Sequence, residues 1–172
     1  MIFKAFKEKS NQKYVNNLLE VRKAIIDGKK ISSIGVLLNE QEFNDIEAFN
    51  QLFKLLGLNA PKHKILTYSL DETSVHAQWE TFYGSKDFGW NGKIKSLDLE
   101  QFVDRNFEML ICYFKTEAIE LKQIAAMSKA DFKVGVSKLD ERLYDLIIDV
   151  ELGKFDVFAS ELKKYLMILN KL

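Results

Sequence analysis

The sequence predicts an α/β fold: one layered domain with a mostly parallel sheet of four or five strands, an antiparallel strand near its edge, a helical N-terminal arm and a long C-terminal helix. Two observations predict it. Short apolar, β-branched runs recur at 31–38, 63–69, 108–114, 132–137 and 143–150, and most of the stretches between them place apolar residues at helical spacing. Strands alternating with helices are the pattern of a sheet covered by helices. The single domain spans 1–172, with the arm over 1–30 and the sheet-and-helix body over 31–172.

In the opening "FKAFKEKSNQKYVNNLLEVRKAII", Phe3, Phe6, Tyr14, Val15, Leu18, Leu19, Ile25 and Ile26 fall near helical spacing, which predicts one or two amphipathic helices ending at Gly28. "ISSIGVLL" reads as a buried strand. Asn44 or Asp45 is placed to cap a helix whose inward stripe is Ile46, Phe49, Leu52, Phe53 and Leu56, with Gly57 at its end. "HKILTYS" reads as a second strand. The stretch 71–96 is the least regular; it predicts a short helix through Val75 and Trp79, then a glycine-rich loop or hairpin. "SLDLEQFVDRNF" predicts a short helix capped by Ser96 or Asp98.

"EMLICYF" is the clearest central strand. Leu110, Cys112 and Phe114 alternate with Met109, Ile111 and Tyr113, so both faces are apolar. A helix follows over "EAIELKQIAAMSKA". "FKVGVS" and "LYDLIIDV" read as two strands so close in the chain that, as neighbours, they are expected to pair antiparallel. The last helix aligns Phe155, Phe158, Leu162, Tyr165, Leu166 and Leu169.

The chain has 172 residues, 47% of them apolar, with thirteen Phe, six Tyr and two Trp, which is enough to build a core and argues against disorder. One cysteine, Cys112, rules out an internal disulfide. The N-terminus lacks the apolar core of a secretory signal, and no apolar run reaches the ~18 residues of a spanning helix. A cytoplasmic location is the expectation. Net charge is zero, but residues 1–30 carry eight Lys and Arg against Glu8, Glu20 and Asp27, so a basic arm sits on an acidic body.

Asp87-Phe88-Gly89, inside "KDFGWNGKIKS", spells a kinase magnesium motif. Its companions are missing: no glycine-rich loop, no strand lysine with its helix glutamate, no catalytic H-R-D. Gly84 and Gly89 have P-loop spacing, but Trp90 and Asn91 stand where Lys and Ser or Thr belong. The stretch reads as a glycine-shaped turn whose Phe88 and Trp90 cover the core, or as an exposed aromatic contact for a partner. No dinucleotide fingerprint, serine elbow or Cys/His zinc spacing occurs, so no catalytic residue, metal or cofactor is assigned. Cys112 falls mid-strand, where a thiol acts as a small hydrophobe. Asp145 and Asp149, ~13 Å apart in a strand, are too far apart for an acid–base pair and read as structural.

Two candidate sites remain. Open α/β sheets bind ligands at the carboxyl ends of their strands. That rim contains Asn39, Glu40, Ser69, Lys115, Thr116, Ser137, Lys138, Arg142 and Asp149. A small anionic ligand, phosphate- or nucleotide-like, would fall to Asn39, Lys115, Thr116, Ser137, Arg142 and Asp149. The other candidate is a partner contact through Lys4, Lys7, Lys13, Phe88 and Trp90, with protein or RNA meeting the basic arm; Phe3 and Phe6 beside lysines also suit a membrane surface, where one short arm alone binds weakly. A non-catalytic binding module is the leading expectation, and an enzyme or sensor with an anionic ligand at the rim is the alternative.

The stretches "MIFKAFKEKSNQKYVNNLL", "KDFGWNGKIK", "AAMSKADFKVGVSKLDERLYDLIIDV" and "ELKKYLMILNKL" resemble an uncharacterised family of short proteins from the Bacteroidota, known as a domain of unknown function. The resemblance implies a stand-alone cytoplasmic protein and supplies no activity, substrate or catalytic residue. The succession "FEMLICYF", "IAAMSKADFKVGVS", "YDLIIDV" is also similar to a stretch of heptosyltransferase-like glycosyltransferases, which implies a shared Rossmann-like pattern only.

Overall fold

A computed structural model of the chain describes residues 1–25, 27–58, 62–71 and 81–172. The core is a sheet of six strands: β1 (Ser33–Asn39), β2 (Lys62–Tyr68), β3 (Thr81–Tyr83), β4 (Met109–Tyr113), β5 (Phe132–Gly135) and β6 (Leu146–Ile147). Every pairing is parallel, in the order β3-β2-β1-β4-β5-β6. The chain builds outward from β1 to one edge, returns, and builds outward from β4 to the other. This is a doubly-wound order, with its switch point between β1 and β4.

Among the described residues, five helices cover the sheet: α1 (Ile2–Val21), α2 (Ile46–Leu55), α3 (Leu97–Asp104), α4 (Ile119–Met127) and α5 (Phe155–Ile168). Ile34, Val36 and Leu38 of β1 and Met109, Ile111 and Tyr113 of β4 pack under α2 and α5. Leu37, Leu110, Cys112 and Phe114 face α3 and α4. The alternation expected of "EMLICYF" is therefore the division between the two core layers. Asp45 caps α2 by accepting from the Ala48 N–H at 3.0 Å, and Ser96 caps α3 through Leu99. Gly57 follows α2 with φ +76°, the left-handed conformation that ends helices.

Helix α1 forms a further layer. Its Val15 and Leu19 join the core on the α4 side, and α1 packs along α4. Covered by sheet on one side and by α1 on the other, α4 buries Glu120 and Gln123 along with Leu121, Ile124 and Ala125. The helix ends at Val21, seven residues before Gly28. There the backbone turns extended at Arg22, whose guanidinium bonds Asp145 at 2.6 Å. Ile25 is exposed.

Three further expectations are corrected. The sheet has six strands, because Thr81–Tyr83 pairs with β2; three residues are too few to carry a period. Among the described residues there is no antiparallel edge strand: β5 and β6 are neighbours and run parallel. Both are shorter than their apolar runs, so residues 136–145 connect them through a single 3-10 turn at Glu141–Leu143. Returning past a two-residue strand covers only ~7 Å, which does not require a crossover helix. The ring of Tyr144 closes this connection over Gly135, where a Cβ would lie 2.6 Å from it. The helix expected through Val75 and Trp79 falls outside the described residues. Among the described residues, no helix is long and apolar enough to cross a membrane.

Candidate docking surface

The glycine-rich stretch is a small hairpin. Phe88 and Ile94 bridge antiparallel, the Gly89 N–H donates to the Lys93 carbonyl at 2.7 Å, and the Lys93 N–H donates to the Trp90 carbonyl at 3.1 Å. Asn91 and Gly92 have φ +52° and +76°, the Asn-Gly signature of a two-residue I′ turn. The Asp87 carboxylate accepts the Gly84 N–H at 2.9 Å. Asp87 thus closes the loop's own backbone.

Two helices clamp the hairpin. Buried Asn11 of α1 donates to the Gly89 carbonyl at 2.9 Å and accepts the Gly92 N–H at 3.0 Å. Gln123 of α4 donates to the Gly92 carbonyl at 3.0 Å. Lys7 reaches the Ser85 and Phe88 carbonyls, each at 3.3 Å. Tyr14 lies so close that a Cβ on Gly92 would be 2.2 Å from its ring. Of the two aromatics expected to cover the core, Phe88 does so, at 1% exposure. Trp90 does not: it is 47% exposed.

Trp90 borders a groove of about 380 Å³ shared with Phe3 and with the charged Lys4, Lys7, Lys86, Glu8 and Glu120. Met1, Ile2, Phe3 and Phe6 are exposed at the start of α1, and Leu70 is exposed just past β2. The buried stripe of α1 is Asn11, Val15 and Leu19, so at 3.6 residues per turn Ile2 and Phe6 project from the opposite side. Lys9 and Lys13 continue that outer side. They make no ion pair among the described residues, and neither do Lys93 and Lys95 of the hairpin. A second concavity of about 540 Å³ lies inward, between α1, the end of β2 and the start of α4. There the Ser85 hydroxyl donates to Glu120 at 2.7 Å and lies 3.4 Å from the Tyr68 hydroxyl, whose pKa burial raises.

Not all of the arm's cations face outward. Arg22 is held by Asp145, Lys29 by Asp131 at 2.9 Å, and Lys30 by Asn170 at 3.0 Å and the Leu172 carbonyl. Lys4 makes only a loose pair with Glu8 at 3.9 Å.

The rim at the switch point is closed by its own side chains. The Asn39 amide donates to Glu42 at 3.1 Å, and both Glu42 oxygens accept the Lys115 N–H at 3.2 Å. A carboxylate therefore stands where a doubly-wound fold presents backbone N–H groups to phosphate. Lys115 and Lys138 both pair with Asp149, at 3.3 and 3.2 Å, and hold its carboxyl below the usual range. Thr116 is half-buried beside them. Ser137 accepts the Leu139 N–H at 3.2 Å, and Arg142 turns away to Asp140 at 2.9 Å and Asn16 at 3.1 Å. Asn39 and Lys115 are thus linked through Glu42, and Lys115 reaches Asp149 through its ammonium, while Ser137 and Arg142 are committed to other partners.

Cys112 is fully buried, and desolvation pushes its thiol up to about 12. Asp145 accepts both the Arg22 guanidinium and the Lys133 N–H, at 2.6 and 2.7 Å. It works structurally and apart from Asp149. Sequence reasoning passed over Asn11, Glu42, Ser85, Glu120 and Gln123. Asn11 carried a signal: it is the polar member of the i, i+4, i+8 stripe that includes Val15 and Leu19.

The chain is matched over residues 7–169 by a family of unknown function, DUF6913. No curated protein and no solved structure matches it.

Proposed function

We propose, for a chain that belongs to the DUF6913 family, a cytoplasmic docking role carried by the Trp90 hairpin and the first turns of α1. One observation carries this reading. The hairpin is fixed by Asn11, Gln123 and Lys7, yet its tryptophan is held half in solvent beside exposed Phe3. A large side chain on a preorganised turn contributes to binding without the ordering cost of a mobile loop. Burial is ordinarily the favourable fate of Trp and Phe, and a rigid scaffold that exposes both is built for a second surface. Lysines around the patch favour an anionic partner.

The test places a photo-reactive phenylalanine analogue at Trp90 and, as a control, at exposed Ser160 on α5, and irradiates living cells. Discrete adducts specific to position 90 are expected. Equal or absent labelling at the two positions refutes the docking role.

A further inference from the structure

Resting on that docking reading, the charge and composition of the face point to its occupant: we infer that it adsorbs to an anionic lipid bilayer, with the start of α1 and Trp90 at the headgroup boundary. The exposed apolar residues are aliphatic as well as aromatic. Met1, Ile2 and Phe3 are 108%, 72% and 81% exposed, with Phe6, Leu70 and Trp90 nearby. A platform for nucleic-acid bases needs ring faces and has no use for Met1, Ile2 and Leu70. An amphipathic helix lying in an interface has this mixture, with Trp and Phe among the inserted residues and lysines beside them.

Charge fits the same surface. Lys4, Lys9 and Lys13 lie along α1 and Lys93 and Lys95 lie on the hairpin; all five are exposed, and among the described residues only Lys4 has a counter-ion, Glu8 at 3.9 Å. Residues 1–13 hold Lys4, Lys7, Lys9 and Lys13 against Glu8, so the start of α1 is net positive. Juxtaposed lysines attract acidic headgroups within a screening length, and the apolar tip supplies the part of the binding that salt does not remove. The clamp matters here too: with Asn11 and Gln123 fixing the hairpin, Trp90 and the α1 tip meet a flat surface as one rigid unit.

The experiment uses the full chain with a free N-terminus and Trp79→Phe, so that Trp90 is the sole tryptophan. Vesicles of phosphatidylcholine, with or without phosphatidylglycerol, are cosedimented with it at low and high salt. Binding is expected to the anionic vesicles, with a blue shift of Trp90 emission, and to be weaker at high salt. Replacing Lys9, Lys13 and Lys93 by Gln lowers the partition coefficient on the order of 100-fold, from roughly five-fold per lysine. Phe3→Glu with Phe6→Glu abolishes the blue shift while the melting temperature holds, because both rings are exposed. No binding to anionic vesicles overturns the inference, as does binding with unchanged Trp90 emission or with no loss in the Phe3/Phe6 variant. If vesicles fail but the position-90 crosslinker captures a discrete protein, an RNA or a second copy of the chain, the docking role stands and the bilayer falls. If both fail, both readings fall.

Discussion

Asn11→Ala tests the clamp that presents Trp90. The Asn11 side chain is 2% exposed and satisfies two backbone groups of the hairpin, the Gly89 carbonyl at 2.9 Å and the Gly92 N–H at 3.0 Å. Alanine removes both partners and leaves a space too enclosed for free hydration. Each unsatisfied buried group costs about 1–3 kcal/mol, so the expected loss is about 2–5 kcal/mol. For a chain of this length that is a drop in Tm on the order of 5–15 °C. Urea unfolding followed by far-UV circular dichroism measures it, as a lower midpoint with unchanged slope. Asn11→Asp sharpens the test. An ionised carboxylate still accepts from Gly92 but repels the Gly89 carbonyl, and burial raises its pKa above the unfolded value. Its deficit is therefore full at neutral pH and shrinks as pH falls and the protonated carboxyl regains a donor. A midpoint for Asn11→Ala within about 0.5 kcal/mol of wild type, the range of an inconsequential surface change, would refute the clamp.

Three more outcomes are expected. Gly92→Ala combines a positive φ with a Cβ 2.2 Å from Tyr14; it should cost about 2–4 kcal/mol, falling to about 1–2 kcal/mol in a Tyr14→Ala background, where only the backbone strain remains. Lys133 is buried against the Ala125 carbonyl at 2.7 Å, and desolvation lowers its pKa from 10.5 to about 8. Between those values the unfolded chain binds the proton and the folded chain does not, so this lysine's penalty is full below pH 8 and disappears as pH rises through 10.5. Lys133→Met should be more stable than wild type at pH 7, and that advantage should shrink by roughly 3 kcal/mol across the window; a pH-independent difference between the two proteins contradicts the assignment. Cys112, with its thiol near 12, should resist a thiol-reactive dye at pH 8 until urea unfolds the chain, and rapid native labelling would contradict its burial.

Much of the fold was legible because the strongest signals are local. "EMLICYF" is apolar on both faces because a central strand is covered on both, and the caps Asp45 and Ser96 act within three residues of themselves. The edges were harder to read. Thr81–Tyr83 and Leu146–Ile147 are too short to show a period, and their pairing direction follows from the path of the connecting chain. The candidate rim was readable as a list of strand ends, but Glu42, which closes it, lies in a loop and had no motif. Asn11 and Gln123 are ordinary polar residues until the α1–α4 interface brings them to one hairpin.

Composition and periodicity by themselves determined that this chain is an α/β protein with a buried cysteine, a glycine-bent aromatic turn and a basic start, because each of these depends on residues near one another in sequence. Tertiary structure alone decided that all six strands run parallel, that the switch point is sealed by a carboxylate, and that Phe88 turns inward while Trp90 stays out. Those outcomes depend on which distant groups compete for the same space and the same hydrogen bonds, and groups about eighty residues apart, such as the Asn11 amide and the Gly92 N–H, meet only once the helices have packed.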